Sequence, residues 1–261
     1  MKLIVLTIFP DMLNSFWAHG IIRRAIELRI ISAETIDIRD YANDRHKVTD
    51  DRPYGGGSGM VMKPEPLAAA IRAASKRAPS AKIVLLTPQG RVFNQNLAGN
   101  LAAGDGLIFV CGRYEGVDER ICHDLIDFEI STGDYILTGG ELAAMTIIDA
   151  VTRLIPGALG GEDSAEKDSF SNGLLEHAHY TRPRSYEGNE VPKVLLSGHH
   201  KDIETWRLES SLIRTFLKRP DLLRHRELTE QEREILKKWA RDMDEIVQQS
   251  PKRYRERIEN E

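Results

Sequence analysis

The sequence predicts an α/β protein: a parallel sheet with helices on both faces, followed by a smaller all-helical domain. Three observations predict it. Apolar runs end in glycine at Ile83-Val84-Leu85-Leu86-Thr87-Pro88-Gln89-Gly90, at Leu107 to Gly116, and at Tyr135-Ile136-Leu137-Thr138-Gly139-Gly140-Glu141. Stretches of helical periodicity separate them, and strands alternating with helices define a parallel sheet. Beyond residue 160 the strand pattern stops and helical periodicity returns alone.

In chain order, the apolar opening reads as a strand from Lys2 to Thr7. No small-residue cleavage site follows it, so a strand is expected there and not a signal peptide. A helix is expected from His19 to Leu28 and a strand from Glu34 to Ile38. Asp51 to Met60 is a glycine-dense loop. Pro64 and Pro66 suit the first turn of a helix reaching Lys76, because proline needs no amide partner there. The three strand-and-turn units follow, separated by helices from Asn96 to Ala102 and from Asp118 to Leu125. Glu141 to Leu154 reads as a further helix, with Leu142, Met145, Ile148 and Thr152 near one face.

Residues 161–172 are small, polar and acidic without periodicity, the composition of a flexible linker. Leu174 to Gly198 is irregular. Asp202 is expected to cap a helix carrying Ile203, Trp206, Ile213, Phe216 and Leu217. Thr229 and Glu232 form a capping box before a second helix bearing Ile235, Trp239, Met243 and Ile246. The expected organisation is therefore an α/β domain over 1–160, a linker over 161–172, and a helical domain over 173–261 with a charged tail after Pro251.

Composition excludes several classes. With 41% hydrophobic residues the chain can bury a core. No apolar run approaches the ~20 residues that span a bilayer, so no membrane association is expected. Cys111 and Cys122 make neither a disulfide framework nor a zinc site, and a cytoplasmic protein is expected. The loop Gly55 to Lys63 lacks the Gly-Lys-Ser/Thr ending of a nucleotide-binding phosphate loop. No Gly-x-Gly-x-x-Gly follows the first strand, and no Gly-x-Ser-x-Gly elbow occurs. His199-His200 stands without nearby cysteine, so no metal ligand is assigned. The net charge is −4, yet Thr181 to Arg226 carries ten Lys/Arg against six Asp/Glu. A local basic excess can bind phosphate backbones on an acidic protein; a solvated helix surface has the same composition. Ligands gather beyond the carboxyl ends of parallel strands. The three glycine corners thus point to one shared pocket, with ordinary tight turns as the alternative.

Several blocks carry a resemblance. Gly112-Arg113-Tyr114-Glu115-Gly116-Val117-Asp118-Glu119-Arg120 and Gly133-Asp134-Tyr135-Ile136-Leu137-Thr138-Gly139-Gly140-Glu141-Leu142 resemble the signature of the bacterial tRNA (guanine-N1-)-methyltransferases. That family belongs to the SPOUT superfamily of knotted methyltransferases. Pro53 to Met62, Leu86 to Gly90, Asp168-Ser169-Phe170 with Gly173-Leu174-Leu175-Glu176, Tyr180-Thr181-Arg182-Pro183, and Val191 to His200 with Trp206-Arg207 extend the likeness in unbroken order to about Val247. Departures are Ala143 where proline is usual, His177-Ala178-His179 where a Tyr-Pro pair is more typical, and Thr132 where isoleucine is frequent.

The resemblance implies a C-terminal trefoil knot in the α/β domain, a homodimer with active sites shared between subunits, and methyl transfer from S-adenosylmethionine to N1 of the guanosine immediately 3′ of the tRNA anticodon. By the same likeness, Asp168 is the general base and Arg153 stabilises O6. Pro88, Gln89, Gly112, Tyr114, Glu115, Ser131, Thr132, Gly133, Asp134, Tyr135, Ile136, Leu137, Gly139 and Gly140 hold the cofactor. Tyr180, Arg182, Arg184 and His199 are the candidate RNA contacts, and magnesium (Mg2+) is a candidate cation. On composition alone, Asp168 is a solvated linker acid and Arg153 a helix-end cation. Two rival functions stay open: a knotted methyltransferase acting on ribosomal RNA or ribose oxygen, and a non-catalytic RNA-binding adaptor.

Overall fold

The structure, a computed structural model, describes residues 1–160, 168–224 and 226–249. The chain divides into two compact units, Met1–Ala165 and Glu166–Glu261. Most of the expected linker, residues 161–167, and the charged tail lie outside the described residues.

The first unit is built on five parallel strands: β1 (Lys2–Thr7), β2 (Ser32–Asp37), β5 (Lys82–Val92), β6 (Gly106–Cys111) and β7 (Phe128–Ser131). Their order is β2-β1-β6-β5-β7, so β6 is inserted between β1 and the earlier β5. Two short strands, β3 (Asp50–Asp51) and β4 (Val61–Met62), pair antiparallel and bracket the glycine-dense loop. The helices are α1 (Asn14–Ala18), α2 (Gly20–Glu27), α3 (Pro64–Arg77), α4 (Gln95–Ala102), α5 (Glu119–Leu125) and α6 (Glu141–Thr152).

Strand alternation explains why both faces are covered. In β1 and β6, Leu3, Val5, Leu107, Phe109 and Cys111 point into one core, which α2, α4 and α6 complete. Ile4, Leu6, Ile108 and Val110 point into the opposite core, roofed by α3 and α5. A parallel strand buried on both faces needs such an unbroken apolar run. The chain ends of the helices follow local chemistry: Pro64 and Pro66 occupy the first turn of α3, and the Asp118 carboxylate accepts the Arg120 amide to cap α5.

Three expectations change. Tyr135 to Leu137 is not a buried strand but a loop, with Ile136 82% exposed; Phe128–Ser131 takes the sheet position beside β5. Thr87 to Gly90 does not end its strand. It bulges out of β5, which pairs with Ile130 at Leu86 and again at Arg91. A Cβ on Gly90 would stand 2.4 Å from the Ile130 nitrogen, so only glycine lets the backbones pass this closely. On α6 the buried face carries Ala143, Ala144, Ile147, Ile148 and Val151, whereas Leu142 is exposed.

The second unit holds α7 (His200–Lys218), α8 (Pro220–Arg224) and α9 (Glu230–Gln249). It is not all-helical, because β8 (Ser185–Tyr186) and β9 (Asn189–Glu190) form a small hairpin. His199, not Asp202, precedes the first turn of α7, and Asp202 lies inside that turn. The capping box is made: Glu232 donates its amide to the Thr229 hydroxyl, and the Thr229 amide donates to the Glu232 carboxylate. Leu174, Leu212 and Ile235 form the buried centre, with Trp239 packed against it.

Candidate active site

All five strands run in one direction, so the carboxyl ends of β5, β6 and β7 open on the same edge of the sheet. A cavity of about 500 Å³ lies there, within the range of small-molecule sites. The bulge of β5 supplies Pro88 and Gln89, the turn after β6 supplies Gly112 to Gly116, and the loop after β7 supplies Ser131 to Gly140. Every cofactor residue expected from the sequence lines it except Asp134, whose exposed side chain lies on the same loop.

The loops are tied to one another. The Gly140 amide donates to the Gly112 carbonyl at 3.0 Å, and Arg113 and Gly139 form an antiparallel bridge. A Cβ on Gly140 would fall 2.7 Å from Cys111 Cα, so the absent side chain permits this crossing. The Glu115 amide donates to the Met60 carbonyl, joining the glycine-dense loop to the rim. After β7, the Ser131 hydroxyl bridges both backbone groups of Gly133, and the Tyr135 hydroxyl donates to the Thr132 carbonyl.

Beneath the loops sits an ion pair that sequence reasoning did not assign. Glu141, 1% exposed, accepts the Thr7 hydroxyl at 2.6 Å and the Arg113 guanidinium at 3.1 Å. Glu141 opens α6, where the helix dipole favours a carboxylate. The Arg113 guanidinium also lies 4.4 Å from the centroid of the Phe9 ring. The pair links the end of β1, the turn after β6 and the start of α6. Arg113 lies in the Gly112–Arg120 motif and Glu141 in the Gly133–Leu142 motif, and their opposite charges are the signal in the sequence.

Other cavity groups are tuned by burial. The Cys122 thiol is pushed up to about 11 by burial and by Glu119. Burial, then the neighbouring Asp50 carboxylate, raises the Tyr114 phenol. Glu115, Glu119 and Glu129 place carboxylates around the opening. The lining thus combines backbone donors and acceptors, apolar walls from Leu85, Leu86 and Leu137, and negative charge suited to a cationic ligand.

The remaining expected residues are distributed over the two units. Arg153 is the half-buried C-cap of α6 in the first unit. Asp168 belongs to the second unit, half-buried, and its carbonyl accepts the Ser171 amide in a run of hydrogen-bonded turns ending near Leu174. Tyr180, Arg182, Arg184 and His199 are exposed in that unit, the Tyr180 ring 6.1 Å from Trp206. Among the described residues, no helix is long and apolar enough to cross a membrane.

A parallel α/β sheet with a polar, glycine-framed cavity at its carboxyl edge defines a small-molecule-binding α/β protein of the kind that hosts enzymes. The family can be stated more closely. The family model described as tRNA (Guanine-1)-methyltransferase TrmD matches residues 1–225. A tRNA (guanine-N(1)-)-methyltransferase of Desulfatibacillum aliphaticivorans is 57% identical over 95% of this chain and 94% of its own length. Those of Syntrophotalea carbinolica and Carboxydothermus hydrogenoformans are 52% and 51% identical, over 92% and 97% of this chain and 97% and 99% of their own lengths. The chain belongs to the tRNA (guanine-1)-methyltransferase family.

Proposed function

We propose that this chain transfers a methyl group from S-adenosylmethionine to N1 of the guanosine immediately 3′ of the anticodon in tRNA. The observation that carries this is the family match over residues 1–225, which includes every strand around the cavity. The cavity residues fit the donor. Backbone groups of the three loops can take adenine and ribose, and carboxylates such as Glu115 can face a sulfonium. The positive charge of Arg113 is already balanced by Glu141, so it does not oppose a cationic ligand. When bound, the donor supplies an electrophilic methyl group.

The chain's own residues must then make guanine N1 a nucleophile, since N1 carries a proton at neutral pH. In this reading Asp168 removes that proton. An ordinary aspartate, with a pKa of about 3.9, is a weak base for the purpose. Positive charge at O6 makes N1 more acidic, and Arg153 supplies it. Magnesium would add charge of the same kind. Tyr180, Arg182, Arg184 and His199 contact the anticodon arm. Unstacked loop bases are the part of RNA that proteins read most readily.

The reading includes a trefoil knot around the cavity loops, a cytoplasmic location and a homodimer in which Asp168 acts beside donor held by the partner subunit. Its support is the resemblance of the motifs. The test is a methyl-transfer assay with an unmodified tRNA transcript carrying guanosine after the anticodon, against a matched transcript with adenosine there. Transfer to the first alone, on N1 by mass spectrometry of the digest, is expected. Methylation on ribose oxygen, or none, would reject it.

A further inference from the structure

We propose that Glu176, His177 and His179 form a binding site for a first-row divalent transition metal, with Zn2+ as the reference ion. One ligand atom from each lies within 4.8 Å of the other two. His179 Nε2 stands 2.9 Å from Glu176 Oε1, and the two imidazole centroids are 4.5 Å apart. Ligands around tetrahedral zinc, each about 2.0–2.2 Å from the ion, stand roughly 3.4 Å apart. Small side-chain rotations therefore close the set.

The backbone is already fixed for this. Leu175 and Ala178 donate their amides to Thr215 Oγ1 and Ser210 Oγ of α7, at 2.9 and 3.0 Å. Glu176 donates its amide to Ser169 Oγ, and its carbonyl accepts Arg214 Nε at 3.1 Å. The entropy of ordering the segment is thus spent in folding and does not weigh against the ion. The Trp206 ring lies beside the site, edge-on to His177 at 6.3 Å.

The histidine tautomer also fits. His177 Nδ1 lies 3.1 Å from the Ala178 carbonyl oxygen. A carbonyl only accepts, so Nδ1 carries the proton and Nε2 keeps its lone pair. A ring nitrogen bonded to a backbone carbonyl is the usual means of aiming a ligating imidazole. Without metal, His179 and Glu176 share a hydrogen bond; an ion takes the place of the proton between them. Two imidazoles and one carboxylate favour zinc, cobalt or nickel over magnesium and calcium. Three protein ligands leave a coordination position open. None of the three residues is among those that line the cavity of the first unit.

The full chain, freed of metal with a chelator, is titrated with zinc chloride by calorimetry, alongside His177→Tyr, His179→Gln, the double variant and Glu176→Gln. Thermal melts in chelator establish that each variant is folded. The expected result is one ion per chain for the parent, affinity at least about tenfold weaker for each single variant, and no uptake at this stoichiometry for the double variant. Cobalt should quench Trp206 fluorescence in the parent and not in the double variant. Should the double variant not fold, the Glu176→Gln isotherm decides. No zinc uptake by the parent, or an unchanged isotherm in the folded variants, would overturn the site.

Discussion

The two units differ in how their functional residues are held. In the first, the cavity loops cross one another through backbone bonds, glycine contacts and a buried ion pair, above two extensive apolar cores. In the second, the candidate RNA contacts are exposed, and the described buried centre is Leu174, Leu212 and Ile235. A pocket for a small cation gains from loops fixed before the ligand arrives. A surface for a polyanion relies on exposed charge, which acts at longer range and needs less exact placement. In the proposed function these two tasks fall to different units of the chain.

The largest effect on this contrast should come from Glu141→Ala. It leaves the Arg113 guanidinium unpaired in a largely buried place, and breaking such a pair costs about 3–5 kcal/mol. Thermal unfolding of the first unit and donor titration should both deteriorate. An unchanged melt with unchanged donor affinity would mean that the pair is not what fixes the loops. Next is Leu212→Ala in the fully buried centre of the second unit, at about 2–4 kcal/mol. Limited proteolysis should then cut the second unit sooner while donor affinity is retained. Loss of donor binding would show that the units are not separable in this way.

Thr229→Ala removes half of the capping box of α9 and should cost about 1 kcal/mol, read as a small drop in denaturant midpoint. The smallest effect concerns pH. The Arg120 guanidinium beside Asp118 holds its carboxyl below the usual range. A lowered value in the folded state contributes stability above the unfolded pKa of about 3.9 and loses it as pH falls through the folded value. Melting curves of Asp118→Asn and the parent should therefore converge as the solution is acidified below about pH 4. A gap that widens with acid would reverse the assignment.

Much of this was legible in the chain, for reasons that differ by place. Lys2–Thr7 and Gly106–Cys111 read as strands because burial on both faces demands a continuous apolar run. The capping box at Thr229 was visible because its chemistry is local. Tyr135 to Leu137 misled because apolar residues on a ligand-facing rim look like a buried strand, while Glu129 interrupts the real one. The rejoining of β5 with Ile130 after its bulge is a long-range register that no local pattern encodes. Arg113 and Glu141 lie 28 residues apart; the motifs name both, and only the fold makes them partners. The hairpin of β8 and β9 is too short to show a period.

The division of labour is tested most directly by Asp168→Asn, measured twice on the same preparation. Calorimetry with S-adenosylmethionine should give the parent's affinity, because the cavity belongs wholly to the first unit. Methyl transfer to the guanosine-bearing transcript should fall by at least about a hundredfold, the scale of a lost general base. Full turnover by the variant, or loss of donor binding with it, would contradict the account.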